Sequence, residues 1–339
     1  MSKNGGRSME VSIIIATYNS GKTIDRCLQS IRKQNIDQEQ VEIIVIDGGS
    51  NDTTLDIAKQ YGATILENPH RLPEIAKRIG IRHASGEWIL IMDSDEEMPH
   101  NSVLSNRIQF MKKHPEVKCL LGYYKQPLGY KSKLGHYISN VGDPFSAFAY
   151  QWYIGGNIGL IKKHDIANEK DGFIGRFTDG DIIPIGDSVT MFNKAFLYEK
   201  YEKYIDSENT ATIFSMIVHD TQLVAHVNDD YVYHYTKSDF GTYLKKLKFR
   251  IINNIFDQNG SGYSAVSVKN SKLKNRKYFY PLYCATIVFP LFDGIRMAIY
   301  YKEPVYLSHI YFAWYVLIQI LLQYAKKLLG IKSSNKQYG

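Results

Sequence analysis

The sequence predicts an α/β protein, in which a parallel sheet covered by helices is followed by a helical C-terminal region. Three observations lead to this prediction. Short β-branched runs alternate with amphipathic segments in the N-terminal part, which is typical of repeated strand–helix units. Apolar, tyrosine-rich segments fill the C-terminal part. The charge is also divided, because residues 1–236 carry 25 Lys+Arg and 30 Asp+Glu, whereas residues 237–339 carry 16 and 4.

The composition excludes several classes of protein. With 44% hydrophobic and 22% charged residues among 339, the chain is not intrinsically disordered. Its cysteines, Cys27, Cys119 and Cys284, are too few and too scattered for a disulfide framework or a cysteine-rich zinc site, and they fit a reducing compartment. The first residues lack an apolar stretch after their charges, which predicts no signal peptide. A net charge of +7 indicates a polyanionic partner but does not distinguish nucleic acid, membrane and phosphate.

The strand–helix units are predicted one after another along the N-terminal part. The first strand is a short β-branched run, and the helix after it places Ile24, Cys27, Leu28 and Ile31 on one face. The second helix ends at Gly62, since glycine is a common residue just past a helix end. The strands are predicted at residues 11–16, 41–46, 63–66 and 88–92, and the third helix at about 73–84.

Two of the predicted strands end in acidic residues. Asp47 follows the second strand, and the triplet Asp93, Ser94 and Asp95 follows the fourth. Ligands of parallel sheets bind beyond the carboxyl ends of the strands, and clustered carboxylates repel one another unless a cation neutralises them. A divalent ion with oxygen ligands would do so and would hold a diphosphate. The alternative is a solvated turn, because Asp-x-Asp is common and recurs at 179–181; the position opposite Asp47 favours the ion site.

The N-terminal part resembles a known family, the family 2 glycosyltransferases with the Rossmann-like GT-A fold. The resemblance is dense over residues 10–100 and thinner to about 237. Several motifs occur in order and at the expected spacing, which makes the resemblance specific. The segments that carry it are residues 11–19, 41–52 and 86–95.

The resemblance implies a site for a nucleotide sugar and a metal ion. The base and ribose would be held by Thr17, Tyr18 and Asp47. The Asp-x-Asp triplet would bind the sugar nucleotide and, mainly through its last residue, Mg²⁺ or Mn²⁺ on the diphosphate. In this chain the resemblance implies that the donor-binding residues of the triplet would be Asp93 and Ser94, and the metal ligands Asp93 and Asp95.

Within residues 10–100 the chain departs from the family pattern at three places. Ala16 replaces a proline and Gly48 replaces a second aspartate, and neither change removes a functional group that the site needs. Lys77 stands where many members have an arginine that approaches the donor, so the charge is kept and the forked geometry is lost. Lys77 is therefore a predicted donor-binding residue, with a solvated helix face as the alternative.

The acceptor side is predicted between residues 145 and 200. The glycine-rich run 155–159 fits a sugar-contacting loop or a turn between strands. The resemblance places the catalytic base of an inverting transfer on Asp187, because a carboxylate must take the proton of the acceptor hydroxyl. Asp179 and Asp181 are the rival bases. In the other interpretation, Asp187 caps a helix beginning near Ser188.

A histidine closes this part of the chain. His234 lies in the alternating aromatic run 231–235, and some related folds use a late histidine as an extra metal ligand. A lone histidine in such a strand is more often structural. His234 is therefore left out of the predicted metal site.

The C-terminal part predicts contact with a membrane surface. A helix from Phe240 to about Ile255 has one apolar face with four cations around it, and this pattern is typical of interfacial helices. The segment 278–292 has no charge but contains two prolines, which favours a re-entrant or interfacial helix. Residues 305–325 are uncharged and long enough to span a membrane. A hairpin and a monotopic wedge both fit. The cations are Lys245, Lys246, Lys248 and Arg250.

Together these features predict an inverting glycosyltransferase at the cytoplasmic face of the cell membrane. It would move a sugar from a nucleotide donor, a UDP-sugar, to a lipid-linked glycan acceptor; nucleic-acid motifs are lacking in the sequence. A polyprenyl-phosphate glycosyl synthase and a non-catalytic membrane-tethered binding subunit are the alternatives. The predicted parts are a catalytic domain at 1–237, a basic helical connector at 238–277 and membrane-associated helices at 278–330.

Overall fold

The computed structural model describes residues 9–127, 132–151, 156–178, 180–184, 186, 189–206, 213–235, 239–256 and 275–331. In these ranges the strands are β1 Val11–Thr17, β2 Val41–Asp47, β3 Thr64–Glu67, β4 Trp88–Asp93, β5 Glu96–Glu97, β6 Cys119–Leu121, β7 Tyr123–Lys125, β8 Asp165–Asn168, β9 Gly172–Arg176, β10 Thr190–Asn193, β11 Leu223–Val227 and β12 Tyr231–His234.

The α-helices follow the same order along the chain. They are α1 Ile24–Arg32, α2 Thr54–Gln60, α3 Pro73–His83, α4 Val103–Lys113, α5 Lys133–Val141, α6 Pro144–Tyr150, α7 Gly156–Lys163, α8 Lys194–Ile205, α9 Ile213–Thr221, α10 Phe240–Phe256, α11 Tyr280–Ala285, α12 Val288–Tyr301 and α13 His309–Leu328. Short 3-10 turns at Arg276–Phe279 and Pro304–Ser308 precede α11 and α13.

The large sheet confirms the predicted α/β architecture. Its strand order is β3-β2-β1-β4-β10-β6-β11-β9-β8, and β1, β2, β3 and β4 pair in parallel. All four predicted strands are present. Each continues one residue beyond the last apolar residue of the sequence pattern. Three of these added residues, Thr17, Asp47 and Asp93, are among the predicted site residues.

The sheet is buried on both faces because its central strands are apolar at successive positions. Ile13 and Ile15 face one core cluster, whereas Ile14 faces the other. Helix α3 lies against the second face so closely that a Cβ on Gly80 would come within 2.3 Å of Ile14 Cγ2. The glycine therefore allows α3, which carries Lys77, to sit directly over β1.

Two sequence expectations for the acceptor side are wrong. The glycine-rich run is neither a loop nor a turn between strands, because residues from Gly156 onward form α7, whose Ile161 is buried. The helix near residue 188, which the alternative interpretation of Asp187 requires, is replaced by the strand β10, which pairs antiparallel with both β4 and β6. Its residues 190–192 are β-branched, apolar or aromatic, and all are buried. Such residues fit an inner strand better than a helix start.

A second, three-stranded sheet has the order β5-β12-β7. It is anchored by a buried ion pair, in which Arg107 on α4 donates from Nε and Nη2 to Asp230 Oδ1 at 2.9 and 2.7 Å. Asp230 directly precedes β12. The pair therefore fixes where β12 begins, and with it the position of His234 at its end.

The C-terminal helices share a core with α5 and α6. Tyr137 on α5 hydrogen-bonds through its hydroxyl to His309 Nδ1 at 2.7 Å, and Arg276 Nε donates to the Phe148 carbonyl oxygen at 2.7 Å. This third core is lined mainly by aromatic residues. The boundary predicted at residue 237 remains a prediction, while this core joins residues from both sides of it.

Two C-terminal segments have the composition of membrane helices. The segment Pro304–Leu328 contains an 18-residue window with a mean hydropathy of 1.6, and by length and composition it could cross a membrane. Arg276–Ala285 and Val288–Tyr301 would qualify only as one span, and they are bent by 94° at the break between them. Within α12, Arg296 Nη1 lies 3.5 Å from Asp293 Oδ1.

Candidate functional site

The carboxyl ends of three parallel strands lie level at one edge of the large sheet. Thr17 at the end of β1 pairs with Asp47 at the end of β2, and Ala16 pairs with Asp93 at the end of β4. The register thus brings together the loops that the sequence identified. Such edges are where ligands bind in open parallel sheets.

The Asp47 carboxylate organises the first of these loops. Its Oδ2 accepts hydrogen bonds from Gly49 N at 2.9 Å and Ser50 N at 2.8 Å, and its Oδ1 accepts from Ser50 Oγ at 2.5 Å. Gly49 has φ of +88°, a conformation that favours glycine. Beside this loop, the Thr17 hydroxyl is buried and has no hydrogen-bond partner among the described residues, so it is available to a ligand.

Tyr18 has a cationic neighbour that the sequence argument missed. The Arg71 guanidinium carbon lies 4.9 Å from the centre of the Tyr18 ring, and Nη1 is 3.5 Å from the Tyr18 hydroxyl. Arg71 also reaches the glycine turn, since its Nη2 would be 3.5 Å from a Cβ on Gly49. Arg71 lies four residues past the end of β3. In the sequence, the feature that marks Arg71 as a candidate is that this cation follows shortly after a predicted strand.

The loop after β4 is tied to the loop after β1. Ser94 Oγ donates to Ser20 Oγ at 2.8 Å, and Ser94 is 8% exposed. The Asp93 amide donates to Glu96 Oε2 at 2.9 Å. These hydrogen bonds hold the triplet in a tight turn, and the Ser94 hydroxyl ties that turn to the loop after β1.

Asp95 lies beside His234, which the sequence argument had set aside. His234 Nε2 is 3.6 Å from Asp95 Oδ2, because β12 pairs with β5 and places His234 opposite Glu96. The Tyr235 amide also donates to the Asp95 carbonyl oxygen at 2.8 Å. Two residues far apart in sequence thus meet at the end of the triplet.

The charged forms of Asp95 and His234 stabilise one another. Burial acts to raise the pKa of Asp95, but the hydrogen bond and charge of His234, with the Lys246 ammonium, hold it below its ordinary value. Burial acts to lower the pKa of His234, but Asp95, with Glu96 and Asp93, raises it. Several carboxylates thus face one imidazole, and this excess of negative charge attracts a cation.

The side chains of Asp95 and His234 fit a shared divalent ion. Two ligands at about 2.1 Å from one Mg²⁺ are at most about 4.2 Å apart, and these two are 3.6 Å apart. His234 Nδ1 is buried without a hydrogen-bond partner among the described residues. The described residues contain no group of three or more His, Cys, Asp or Glu side chains that could hold a metal alone. A ligand would have to complete the coordination.

The remaining predicted site residues have different positions. Lys77 is half-buried on α3. Asp187 and its rival Asp179 lie outside the described residues. The other rival, Asp181, accepts hydrogen bonds from Thr178 N at 2.8 Å and from Thr178 Oγ1 at 2.9 Å. Its carboxylate closes a local turn.

Curated relatives match about a third of the chain. Over 112 residues the sequence is 31% identical to the poly(ribitol-phosphate) beta-N-acetylglucosaminyltransferase TarS of Staphylococcus aureus, which covers 31% of this chain and 19% of that protein. Over 106 residues it is 33% identical to the dolichyl N-acetyl-alpha-D-glucosaminyl phosphate 3-beta-D-2,3-diacetamido-2,3-dideoxy-beta-D-glucuronosyltransferase of Methanococcus voltae, which covers 29% of this chain and 33% of that protein. The chain thus matches a third or less of the length of these relatives.

A solved structure and a family model extend the comparison. The mannosyltransferase PcManGT from Pyrobaculum calidifontis, determined with GDP-Man and Mn²⁺, has a TM-score of 0.55 at 17% identity and covers 93% of this chain and 87% of that chain. This likeness concerns the fold, and it confirms the predicted GT-A architecture. The model of the glycosyl transferase family 2 matches residues 12–200. Since that is more than half of the chain, the protein belongs to glycosyl transferase family 2.

Proposed function

We propose that this glycosyltransferase moves a sugar, with inversion, from a UDP-sugar to a lipid-linked glycan at the cytoplasmic face of the cell membrane. The observation that carries the proposal is the level set of strand ends, with Thr17, Asp47 and Asp93 at one edge of the sheet. Asp95 and His234 lie at the same edge, beside Asp93. This arrangement offers a nucleotide pocket on one side and a negatively charged site for a metal cation on the other.

The nucleotide would lie across the loops after β1 and β2. The unpartnered Thr17 hydroxyl and the half-exposed Tyr18 ring offer a hydrogen bond and a stacking surface. The Asp47 carboxylate shapes the turn against which the base and ribose would rest. Arg71 adds a forked cation at the mouth of this pocket, where it can meet a base edge or a phosphate.

The diphosphate would lie over the Asp93–Asp95 loop. Asp95 and His234 would hold Mg²⁺ or Mn²⁺, with Asp93 close by, and PcManGT was determined with Mn²⁺. When bound, such an ion supplies positive charge that stabilises the leaving diphosphate. The turn that carries these carboxylates is fixed by the Asp93–Glu96 and Ser94–Ser20 hydrogen bonds, so it would hold the ligands of the ion in place.

Asp187 is the proposed general base, which takes the proton from the acceptor hydroxyl as its oxygen attacks the anomeric carbon. Support comes from the residues near it in sequence. The Val189 amide donates to the Ile91 carbonyl oxygen at 2.8 Å, and Ile91 is two residues before Asp93. The chain two residues after Asp187 therefore lies against β4, near the carboxyl end of that strand. Asp181 is the weaker candidate, because its carboxylate closes the turn with Thr178.

The lipid-linked acceptor is proposed from two features. The matched enzyme of Methanococcus voltae carries a dolichyl phosphate-linked sugar in its name. The C-terminal helices of this chain expose many large apolar side chains, which is typical of contact with a membrane. An acceptor anchored in that membrane would reach the site from the side of these helices.

Replacing Asp187 by asparagine is expected to lower transfer at saturating donor by about a hundredfold or more, because the variant loses the proton acceptor. The measurement is transfer by full-length protein across a panel of UDP- and GDP-sugars with lipid-extract acceptors and Mn²⁺. Asp181→Asn is the matched control and should keep its activity. Near-normal transfer by Asp187→Asn would instead favour a polyprenyl-phosphate synthase, whose acceptor phosphate is already ionised. Donor binding without turnover on any acceptor would favour a binding subunit.

Replacing Arg71 by alanine is expected to weaken donor binding by about tenfold, because one charge-assisted contact to the nucleotide is lost. The measurement is the Kd for UDP by isothermal titration, with Mn²⁺ present. Lys59→Ala removes a cation from the exposed face of α2, where Lys59 pairs with Asp56, and should bind UDP like wild type. An unchanged Kd in Arg71→Ala would remove Arg71 from the nucleotide pocket.

A further inference from the structure

A wide apolar surface is exposed on three neighbouring helices, α11, α12 and α13. Its side chains are 49% to 73% exposed at six positions: Leu282, Val288, Phe289, Phe292, Ile299 and Leu322. Large apolar side chains exposed together on neighbouring helices are typical of sites that contact a membrane or a protein. We propose that this surface docks on a single leaflet of an anionic phospholipid membrane, with α13 lying flat along the leaflet rather than crossing the bilayer. This inference refines the membrane location proposed above and does not depend on the chemistry of transfer.

Helix α13 is apolar on two opposite faces. One face is buried against the protein and includes Phe312, Val316 and Leu317. The other face exposes Ile318 by 47% and Leu321 by 55%. A helix that is apolar all round needs an apolar neighbour on each side. The third core covers the first face, and hydrocarbon chains would cover the second.

Helix α10 runs beside α13 in the same direction. The rings of Phe240 and Tyr311 lie 5.4 Å apart, and Tyr315 Oη donates to the Leu244 carbonyl oxygen at 3.1 Å. Near the other end, Lys327 Nζ donates to the Ile255 carbonyl oxygen at 2.6 Å. These contacts pair the two helices over nearly the whole of α10, so one helix cannot enter a bilayer without the other.

The charges on α10 exclude a spanning position for this pair. Lys245, Lys248 and Arg250 are exposed on α10, and a spanning α13 would draw them into the hydrocarbon layer, where cations are strongly disfavoured. With α13 flat on the leaflet, the same cations can reach anionic headgroups. Residues 237–339 carry 16 Lys+Arg against 4 Asp+Glu, which fits an anionic lipid better than an uncharged protein partner.

The bend between α11 and α12 agrees with insertion into one leaflet. The two helices have 6 and 14 residues, or about 9 and 21 Å, and a bilayer core is about 30 Å thick. Their axes are bent by 94°, so neither helix crosses alone and the pair does not form a straight span. The elbow places Val288 and Phe289 at its corner, where they are 66% and 56% exposed.

Vesicle binding tests the surface itself. Full-length protein is expected to float with phosphatidylcholine–phosphatidylglycerol vesicles, and Phe289→Asp or Phe292→Asp should each weaken the partition coefficient by about tenfold or more. The matched control is Ile166→Asp on β8, since Ile166 is 52% exposed on the catalytic sheet, and it should bind like wild type. The proposal is overturned if wild type stays in solution, or if light scattering shows a dimer that Phe289→Asp dissociates. Sugar transfer is assayed separately, so failure here leaves the proposed transferase activity intact.

The depth of Trp314 separates the flat from the spanning position. Trp314 lies two residues from the middle of Pro304–Leu328, so a spanning helix would put it within about 3 Å of the bilayer midplane. Quenching by lipids brominated near the headgroup or near the chain end is measured for wild type and for Trp314→Phe, and the difference belongs to Trp314. Stronger quenching by the shallow bromines is expected. Stronger quenching by the deep bromines would establish a spanning helix and overturn the proposal.

Discussion

Replacing Asp95 by asparagine is expected to lower metal-dependent sugar transfer by at least about a hundredfold. The amide is neutral and is a weaker ligand for a hard cation than the carboxylate. The measurement is the initial rate of transfer or donor hydrolysis over a range of Mn²⁺ concentrations.

Thermal unfolding separates loss of the ion from loss of the fold. Mn²⁺ with UDP should raise the Tm of wild type, because ligands that bind only the native state stabilise it. Asp95→Asn should keep the ligand-free Tm and lose most of this increase. Asp56→Asn, at an exposed position on α2, is the matched control for removal of a carboxylate. If Asp95→Asn retained metal-dependent transfer, the ion site assigned to Asp95 and His234 would be wrong.

Replacing Asp230 by asparagine is expected to cost about 3–5 kcal/mol of unfolding free energy. Asp230 and Arg107 are 2% and 1% exposed, so the variant leaves a buried guanidinium without its counter-charge. The Arg107 Nη1 contact to the Val189 carbonyl oxygen, at 3.4 Å, would remain but does not neutralise the charge. The measurement is urea unfolding in a fixed lipid or detergent environment.

The adjacent aspartate provides a control for the buried pair. Asp229 is exposed and has φ of +56°, a conformation that asparagine tolerates as well as aspartate does. Asp229→Asn should therefore stay within about 0.5 kcal/mol of wild type. Equal stability of Asp230→Asn and Asp229→Asn would contradict the role given to the ion pair in anchoring β12.

The central strands could be predicted because their sequences admit few other structures. The runs that became β1, β2 and β4 are β-branched or apolar at successive positions, and such runs favour strands buried on both faces. The pattern stops at the last apolar residue, whereas the hydrogen-bonded ladder continues to Thr17, Asp47 and Asp93. The site residues are thus the polar ends of these strands, which explains why their positions followed from the sequence.

The other half of the site depends on pairing between distant segments. His234 meets Asp95 because β12 pairs with β5. In this pairing Tyr233 lies opposite Glu97, and the two residues are 136 positions apart in the sequence. Nothing near His234 in the sequence marks that partner. The glycine-rich run at the start of α7 was misleading for a different reason, since Ile161 packs into the core and tertiary packing outweighs the low helix propensity of glycine.

The most direct measurement is a crystal structure with UDP and Mn²⁺, with data collected at the manganese absorption edge. We expect one strong anomalous peak bound by Asp95 and His234, with the diphosphate beside it and the nucleotide across the loops after β1 and β2. The same crystals of Asp95→Asn should lose the peak. A Mn²⁺ peak away from Asp95 and His234, or UDP bound away from the ends of β1, β2 and β4, would contradict the account.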